Sequence, residues 1–239
     1  MGQRPRERPF RYVKFLAMTD AHRKLELRSF GRRRGRKPSD RQAALLADVL
    51  PRVALDLAAP VVSQQPTWLE IGFGGGEHLV WQAIHNPGVT FIGCEPFEDG
   101  VMKLLAAIEK SALSNVRVHM GDARDALRAL PDASISRAFI LFPDPWPKRK
   151  QRKRRLVNGS MLKLLARVMA PGSVLRIGTD IGDYARTMLE AFQNEPAFRW
   201  LADGPSDWRV RPDDWPQTRY EAKAATEGRQ RYYFRFSRV

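Results

Sequence analysis

The chain of 239 residues has one cysteine, Cys94, which excludes an intramolecular disulfide and a thiolate metal cluster. Its four histidines, His22, His78, His85 and His119, fall at no spacing that a metal site uses, so no metal is expected. Such cysteine usage fits a reducing, cytoplasmic setting. No run of roughly 18 apolar residues occurs, and the Arg-rich N-terminus lacks the apolar stretch of a signal peptide. Neither a membrane span nor export is indicated. Negative charge is scarce as well: 26 Asp and Glu stand against 41 Lys and Arg, a net charge of +15. Such a field attracts polyanions and repels cationic partners, which puts nucleic acid first among partner classes.

The length suits one α/β domain with a tail rather than two domains. Residues 1–41 carry fourteen Lys or Arg against four acidic residues, with weak apolar periodicity, and read as a basic arm that is mobile or partly ordered until it meets a polyanion. Residues 42–239 read as a single domain. Its entry is a helix marked by Leu45, Leu46, Val49, Leu50, Val53 and Leu57 and stopped by Pro60. Short apolar runs then alternate with helical patterns, which predicts an α/β fold built on a doubly wound, mostly parallel sheet. The five strands expected are 67–71, 90–94, 116–120, 136–142 and 173–178. Asn158 is a plausible N-cap for the helix marked by Met161, Leu162, Leu165 and Val168. The alternating segment Arg231-Tyr-Tyr-Phe-Arg-Phe-Ser237 is expected to form an antiparallel C-terminal strand pair that closes the sheet.

Ligands of such sheets bind outside the carboxyl ends of the strands, and the residues there are unusually acidic. After the first strand comes Glu70-Ile-Gly-Phe-Gly-Gly-Gly76, where Gly72 and Gly74 allow a tight turn and close backbone approach. A dinucleotide fingerprint would need a third glycine where Glu77 stands, and a carboxylate there would oppose a pyrophosphate. Glu95 follows the second strand, placed to accept from ribose hydroxyls, and Asp122 follows the third, suited to an exocyclic amine. Glu70, Glu95 and Asp122 together make a negative pocket. It suits a nucleoside with a cationic appendage, such as S-adenosylmethionine.

The fourth strand runs into Phe142-Pro-Asp-Pro-Trp-Pro-Lys148, where three prolines stiffen the backbone around Asp144 and Trp146. From 148 to 155 every residue but Gln151 is Lys or Arg, a density that matches phosphate neutralisation. The fifth strand leads to Asp180, on the same rim as Asp144, where two carboxylates could bind a guanine or stabilise a cation. Asp183 reads as a cap for the next helix.

Glu70-Ile-Gly-Phe-Gly-Gly-Gly76, Gly121-Asp-Ala-Arg124, the Pro-Asp-Pro-Trp-Pro-Lys segment with its basic tail, and Thr218-Arg-Tyr-Glu221 together resemble bacterial tRNA (guanine-N7)-methyltransferases, from about Phe30 to the C-terminus. The resemblance implies a Rossmann-like fold of the class I S-adenosylmethionine-dependent methyltransferases and methylation of N7 of the variable-loop guanine of tRNA. It implies cofactor contacts at Glu70, Gly72, Gly74, Glu95, Asp122 and Asp144, with Asp144 catalytic. Lys148, Asp180, Thr218, Arg219, Tyr220 and Glu221 would hold the guanine, and Lys150, Gln151, Arg152, Lys153, Arg154 and Arg155 would contact tRNA. Gln151 departs from the His common in that family, and the Pro96-Phe97 pair differs as well. Three other readings compete: an RNA-binding protein that uses the sheet as scaffold, a methyltransferase acting on exocyclic amines, and a nicotinamide dehydrogenase, which Glu77 weakens. A monomer and a homodimer both stay open.

Overall fold

The computed structural model describes Arg33, Gly35 and residues 37–60 and 65–239. Most of the expected basic arm, residues 1–41, lies outside the described residues. The described chain enters at Ser39, whose hydroxyl accepts from the Gln42 N–H while the Gln42 side chain accepts from the Ser39 N–H, a reciprocal cap that starts α1 (Asp40–Ala44). Helix α1 passes through a π-helical stretch (Leu45–Val49) into α2 (Leu50–Val53). Pro51, which donates no N–H, follows that stretch, in which the Leu50 N–H bonds the Leu45 carbonyl five residues back. The helix ends at Val53, earlier than the apolar spacing suggests, because Leu55 N–H bonds the Val118 carbonyl and draws the chain onto the sheet.

Among the described residues seven strands follow in the spatial order β3-β2-β1-β4-β5-β7-β6. Strands β1 (Thr67–Ile71), β2 (Thr90–Cys94), β3 (Val116–His119), β4 (Ile135–Leu141) and β5 (Met169–Thr179) are parallel. β7 (Tyr232–Arg238) runs antiparallel between β5 and β6 (Phe198–Trp200). The α/β class and the antiparallel C-terminal closure expected from the pattern are both present. β5 begins at Met169 rather than Ser173, since Met169 pairs with Ile135 ahead of a register shift at Pro171-Gly172. That dipeptide has the look of a loop, and Gly172 does adopt φ +80°. β4 stops at Leu141 because Phe142 leaves the extended region with φ +49°.

Helices α3 (Glu77–His85), α4 (Glu98–Lys110), α5 (Ala123–Ala129), α6 (Gly159–Val168) and α7 (Gly182–Gln193) cover the sheet. Asn158 caps α6 by accepting from the Met161 N–H, as its position suggests. Leu69, Ile92, Ile140, Leu165 and Ile177 are buried in one layer, and Leu79, Val101, Leu104 and Val116 in the other. Each such side chain contributes roughly 1.5–3 kcal/mol. Short α8 (Ser206–Arg209) and α9 (Arg219–Thr226) lie between β6 and β7.

The packing of α4 sets the position of the glycine loop. A Cβ on Gly100 would fall 2.3 Å from the Gly74 carbonyl oxygen, well inside the sum of the atomic radii. Gly100→Ala is therefore expected to displace that loop and to cost about 1–3 kcal/mol by urea unfolding. A variant as stable as the parent would contradict this close approach.

Candidate active site

Strand order reverses between β1 and β4, and the crevice of a doubly wound sheet opens at that point. A cavity of about 380 Å³ lies there. Its walls are Ile71, Gly72 and Gly74 after β1, Cys94 to Phe97 after β2, Ala123 and Arg124 at the start of α5, and Leu141 to Asp144 with Trp146 after β4. Arg154, Leu156 and Tyr220 complete the enclosure.

The glycine loop turns through φ of +74° at Gly72, +57° at Gly74 and +82° at Gly76, a left-handed sequence that a side chain would strain. Glu95 holds the loop: its carboxylate accepts from the Gly74 N–H at 2.8 Å and from the Phe97 N–H at 3.0 Å. Burial pushes the Glu95 carboxyl above the usual carboxylate range, the two N–H groups oppose that shift, and the charges of Asp144 and Glu70 add to it. A ligand that brings donors or positive charge to this wall relieves the strain on its ionised form. Burial and neighbouring carboxylates likewise push the Cys94 thiol up, which removes it as a nucleophile.

Asp144 differs from Glu95 in being exposed at the cavity mouth. It sits between two aromatic residues in left-handed conformation, Phe142 at φ +49° and Trp146 at φ +43°. Such backbone costs about 1–3 kcal/mol per residue and persists only where its surroundings impose it. Arg155 is one cause. Its Nε donates to the Pro145 carbonyl at 2.9 Å, and its terminal nitrogens reach Thr187 Oγ1 at 2.8 Å and Asp183 at 2.5 Å. The guanidinium also lies over the Tyr184 ring at 4.7 Å.

The basic run therefore divides. Lys148, Arg149, Lys150 and Lys153 are exposed, the last three on a 3₁₀ turn (Arg149–Arg154), and Gln151 is half-buried. Arg154 lies over the Trp146 ring at 4.9 Å and on the cavity wall. Arg152 pairs with Asp183 at 3.0 Å. Arg155, expected to contact tRNA, is only 4% exposed and is committed to the turn that carries Asp144. Its reassignment follows from burial: a guanidinium with backbone, hydroxyl and carboxylate partners is not available to a phosphate. Asp183, expected as a cap, instead binds Arg152, Arg155 and Arg186, and Arg155 above all holds its carboxyl below the usual range.

Of the expected site residues, Gly72, Gly74, Glu95, Asp144, Tyr220 and Arg154 meet on the cavity. Apart from the basic run, the others have partners of their own. Glu70 is buried behind the loop, 2.7 Å from His78 Nδ1. Asp122 caps α5 and receives the Arg124 guanidinium on both oxygens, at 3.1 and 2.8 Å. Asp180 accepts from Arg229 at 2.7 Å. Thr218 caps α9 through the Glu221 N–H, and buried Glu221 accepts from the Tyr233 hydroxyl at 2.6 Å and pairs with Arg211. Arg219 lies over the Tyr220 ring, and that half-exposed ring comes within 3.4 Å of where a Gly74 Cβ would stand. Arg124, Phe97 and Cys94 are wall residues that sequence reasoning passed over. Neither period nor spacing distinguishes them from ordinary capping and strand-end positions.

The family model described as "Putative methyltransferase" matches residues 64–234. The tRNA (guanine-N(7)-)-methyltransferase of Hyphomonas neptunium is 50% identical over 204 residues, covering 82% of this chain and 93% of that protein. The protein of the same name from a Ruegeria species is 47% identical over 223 residues, 87% of each. Among solved structures, an antibiotic-related methyltransferase superposes with a TM-score of 0.51 at 17% identity, covering 86% of this chain and 97% of that one. TrmN from Thermus thermophilus gives 0.51 at 16% identity, covering 83% and 48%. At such identity the structural likeness speaks for the fold alone.

The division of the basic run is open to measurement. Arg155→Met is expected to lower the unfolding free energy by about 2–4 kcal/mol, because it strips a buried network of its centre. Lys150→Met, at an exposed position, should leave the urea midpoint unchanged. Equal stability of the two variants would return Arg155 to the surface.

Proposed function

The chain belongs to the tRNA (guanine-N(7)-)-methyltransferase family, and on that premise we propose that it transfers the methyl group of S-adenosylmethionine to N7 of the variable-loop guanine in tRNA. The observation that carries the reading is the meeting of a buried carboxylate, Glu95, and an exposed one, Asp144, on one cavity beside a surface of exposed cations at Lys148, Arg149, Lys150 and Lys153. The first half suits a small cationic nucleoside and the second suits RNA phosphates.

The residues present fit the methyl donor. Glu95 offers a desolvated carboxylate in a cavity of nucleoside size, and Gly72 and Gly74 leave the loop backbone bare. Bound there, S-adenosylmethionine supplies an electrophilic methyl group on a sulfonium. Glu95 would accept from its hydroxyls, Gly72 and Gly74 would face it through backbone, and Glu70 would act by holding the loop from behind. Asp122 would contribute through α5 and Arg124, whose guanidinium it fixes at the wall.

Guanine N7 carries an in-plane lone pair, so no base is needed to free it. The product ring is cationic. Asp144 faces the mouth where that charge develops, and its contribution is electrostatic and positional. A stacked base must be turned out of the tRNA to reach the cavity, and Tyr220 or Trp146 provides a replacement stacking surface. Asp180, Thr218 and Glu221 hold the frame that brings Tyr220 to the cavity. Asp180 accepts from Arg229 through one oxygen, Thr218 Oγ1 accepts from the Glu221 N–H, and Glu221 Oε1 accepts from Tyr233, while the buried Glu221 Oε2 has no partner among the described residues and is the oxygen that could accept from guanine.

The test is transfer of labelled methyl from S-adenosylmethionine to unmodified tRNA transcripts, followed by aniline cleavage at 7-methylguanine. Cleavage in the variable loop is expected; label without cleavage would assign another target atom. Asp144→Ala should retain fold and tRNA binding and lose turnover, and undiminished turnover would refute its role. Replacing Lys148, Arg149, Lys150 and Lys153 by Ala together should flatten the dependence of tRNA affinity on salt by up to about 0.9 log units for each phosphate left unneutralised. An unchanged slope would move the RNA elsewhere on the surface.

A further inference from the structure

A buried chain of polar side chains runs from the glycine loop to the segment that carries Tyr220. Glu70, at the end of β1, accepts from His78 Nδ1 at 2.7 Å. His78 Nε2 is 3.2 Å from Gln82 Nε2, and the same Gln82 nitrogen donates to the Asp214 carbonyl at 2.8 Å. Gln82 Oε1 accepts from Asn86. Glu70, His78 and Gln82 are 4%, 2% and 2% exposed, so water does not substitute for these bonds.

Donor and acceptor accounting leaves one arrangement. The Asp214 carbonyl can only accept, so the Gln82 amide must point its NH₂ at it; a flipped amide would set two oxygens against each other. The second hydrogen of that NH₂ then goes to His78 Nε2, which must be a bare acceptor. The ring proton is thereby assigned to Nδ1, where Glu70 receives it. Phe139 packs edge-on against the imidazole at 4.7 Å and keeps the ring plane in place.

We infer that His78 and Gln82 are positioning residues for methyl transfer: the relay Glu70–His78–Gln82–Asp214 fixes the spacing between the glycine loop on the donor side and α9 with Tyr220 on the guanine side. Gln82 sits on α3, which the glycine loop opens, and its bond to Asp214 ties that helix to the segment leading to α9. Beyond Asp214 the chain buries Trp215 completely and then reaches Thr218, the cap of α9. The Asp214 carboxylate is held separately by Arg176 of β5 through two bonds of 2.8 Å, which anchors the segment to the sheet but not to the loop. The two halves meet where Tyr220 overlies Gly74. In-line transfer tolerates little error in that spacing, for a displacement of about 1 Å can cost a hundredfold in rate.

The inference rests on the proposed methyl transfer for its kinetic part, and on geometry alone for its mechanical part. Gln82→Met keeps side-chain length and removes both donors. It is expected to speed hydrogen exchange of the Trp215 and Glu221 amides about tenfold while those of β4 and β5 stay unchanged. In turnover it should lower kcat about tenfold with KM for tRNA within about twofold, and combined with Tyr220→Ala it should add nothing to the loss from Tyr220→Ala alone. His78→Asn, which drops the acceptor that Gln82 uses, should repeat the pattern and guards against a fold defect peculiar to one variant. Unchanged exchange at Trp215 and Glu221, or kinetic losses that add, would overturn the inference. Absence of turnover in the parent protein would instead strike the proposed function and leave the exchange result to decide this one.

Discussion

A chain with a net charge of +15 keeps a carboxylate out of water at the end of β2, and the architecture around the cavity is organised to hold it. Desolvation disfavours the charge on Glu95, and Asp144 and Glu70 disfavour it further. The compensation that the fold provides is a pair of backbone N–H groups, from Gly74 and Phe97. To present the first, the loop must turn through three left-handed glycines; to keep that loop against α4, Gly100 must have no side chain. Whatever enters with donors or positive charge completes a set of interactions that the protein alone leaves short.

The opposite problem arises at the turn after β4, where cations are abundant and the carboxylate is exposed. Here two arginines of the basic run turn inward. Arg152 and Arg155 converge on Asp183, and Arg155 also braces the Pro145 carbonyl between the strained Phe142 and Trp146. One short segment thus holds the Asp144 carboxylate in place and presents Lys148, Arg149, Lys150 and Lys153 to solvent. On the proposed function, RNA phosphates held by this segment would orient the tRNA toward Asp144.

Much of this was legible in the sequence. Parallel strands show as apolar runs that end at Gly, an acidic residue or Pro, and β1 and β2 fall at the boundaries that the pattern implies. Glu95 and Asp144 were legible because a doubly wound sheet places strand ends at the crevice. What the pattern concealed was partnership. Nothing about a run of Lys and Arg tells which members turn inward, and Arg155 could be distinguished from Lys153 only once Asp183, Thr187 and Tyr184 were brought beside it. Acidic residues near a site resemble one another in sequence, and only the fold shows that Glu70 is partnered by His78 and Glu221 by Tyr233. The tie from Gln82 to Asp214 spans 132 positions and leaves no local trace.

On the proposed function, the crevice between the glycine loop and Asp144 holds the methyl donor, while RNA is held outside it. A crystal structure grown with S-adenosylhomocysteine tests that most directly. The account predicts ligand density in the cavity walled by Gly72, Glu95 and Asp144, with its ribose hydroxyls on Glu95 and the sulfur directed to the mouth beside Asp144 and Tyr220. Density in another part of the molecule, or a ribose that avoids Glu95, would contradict it.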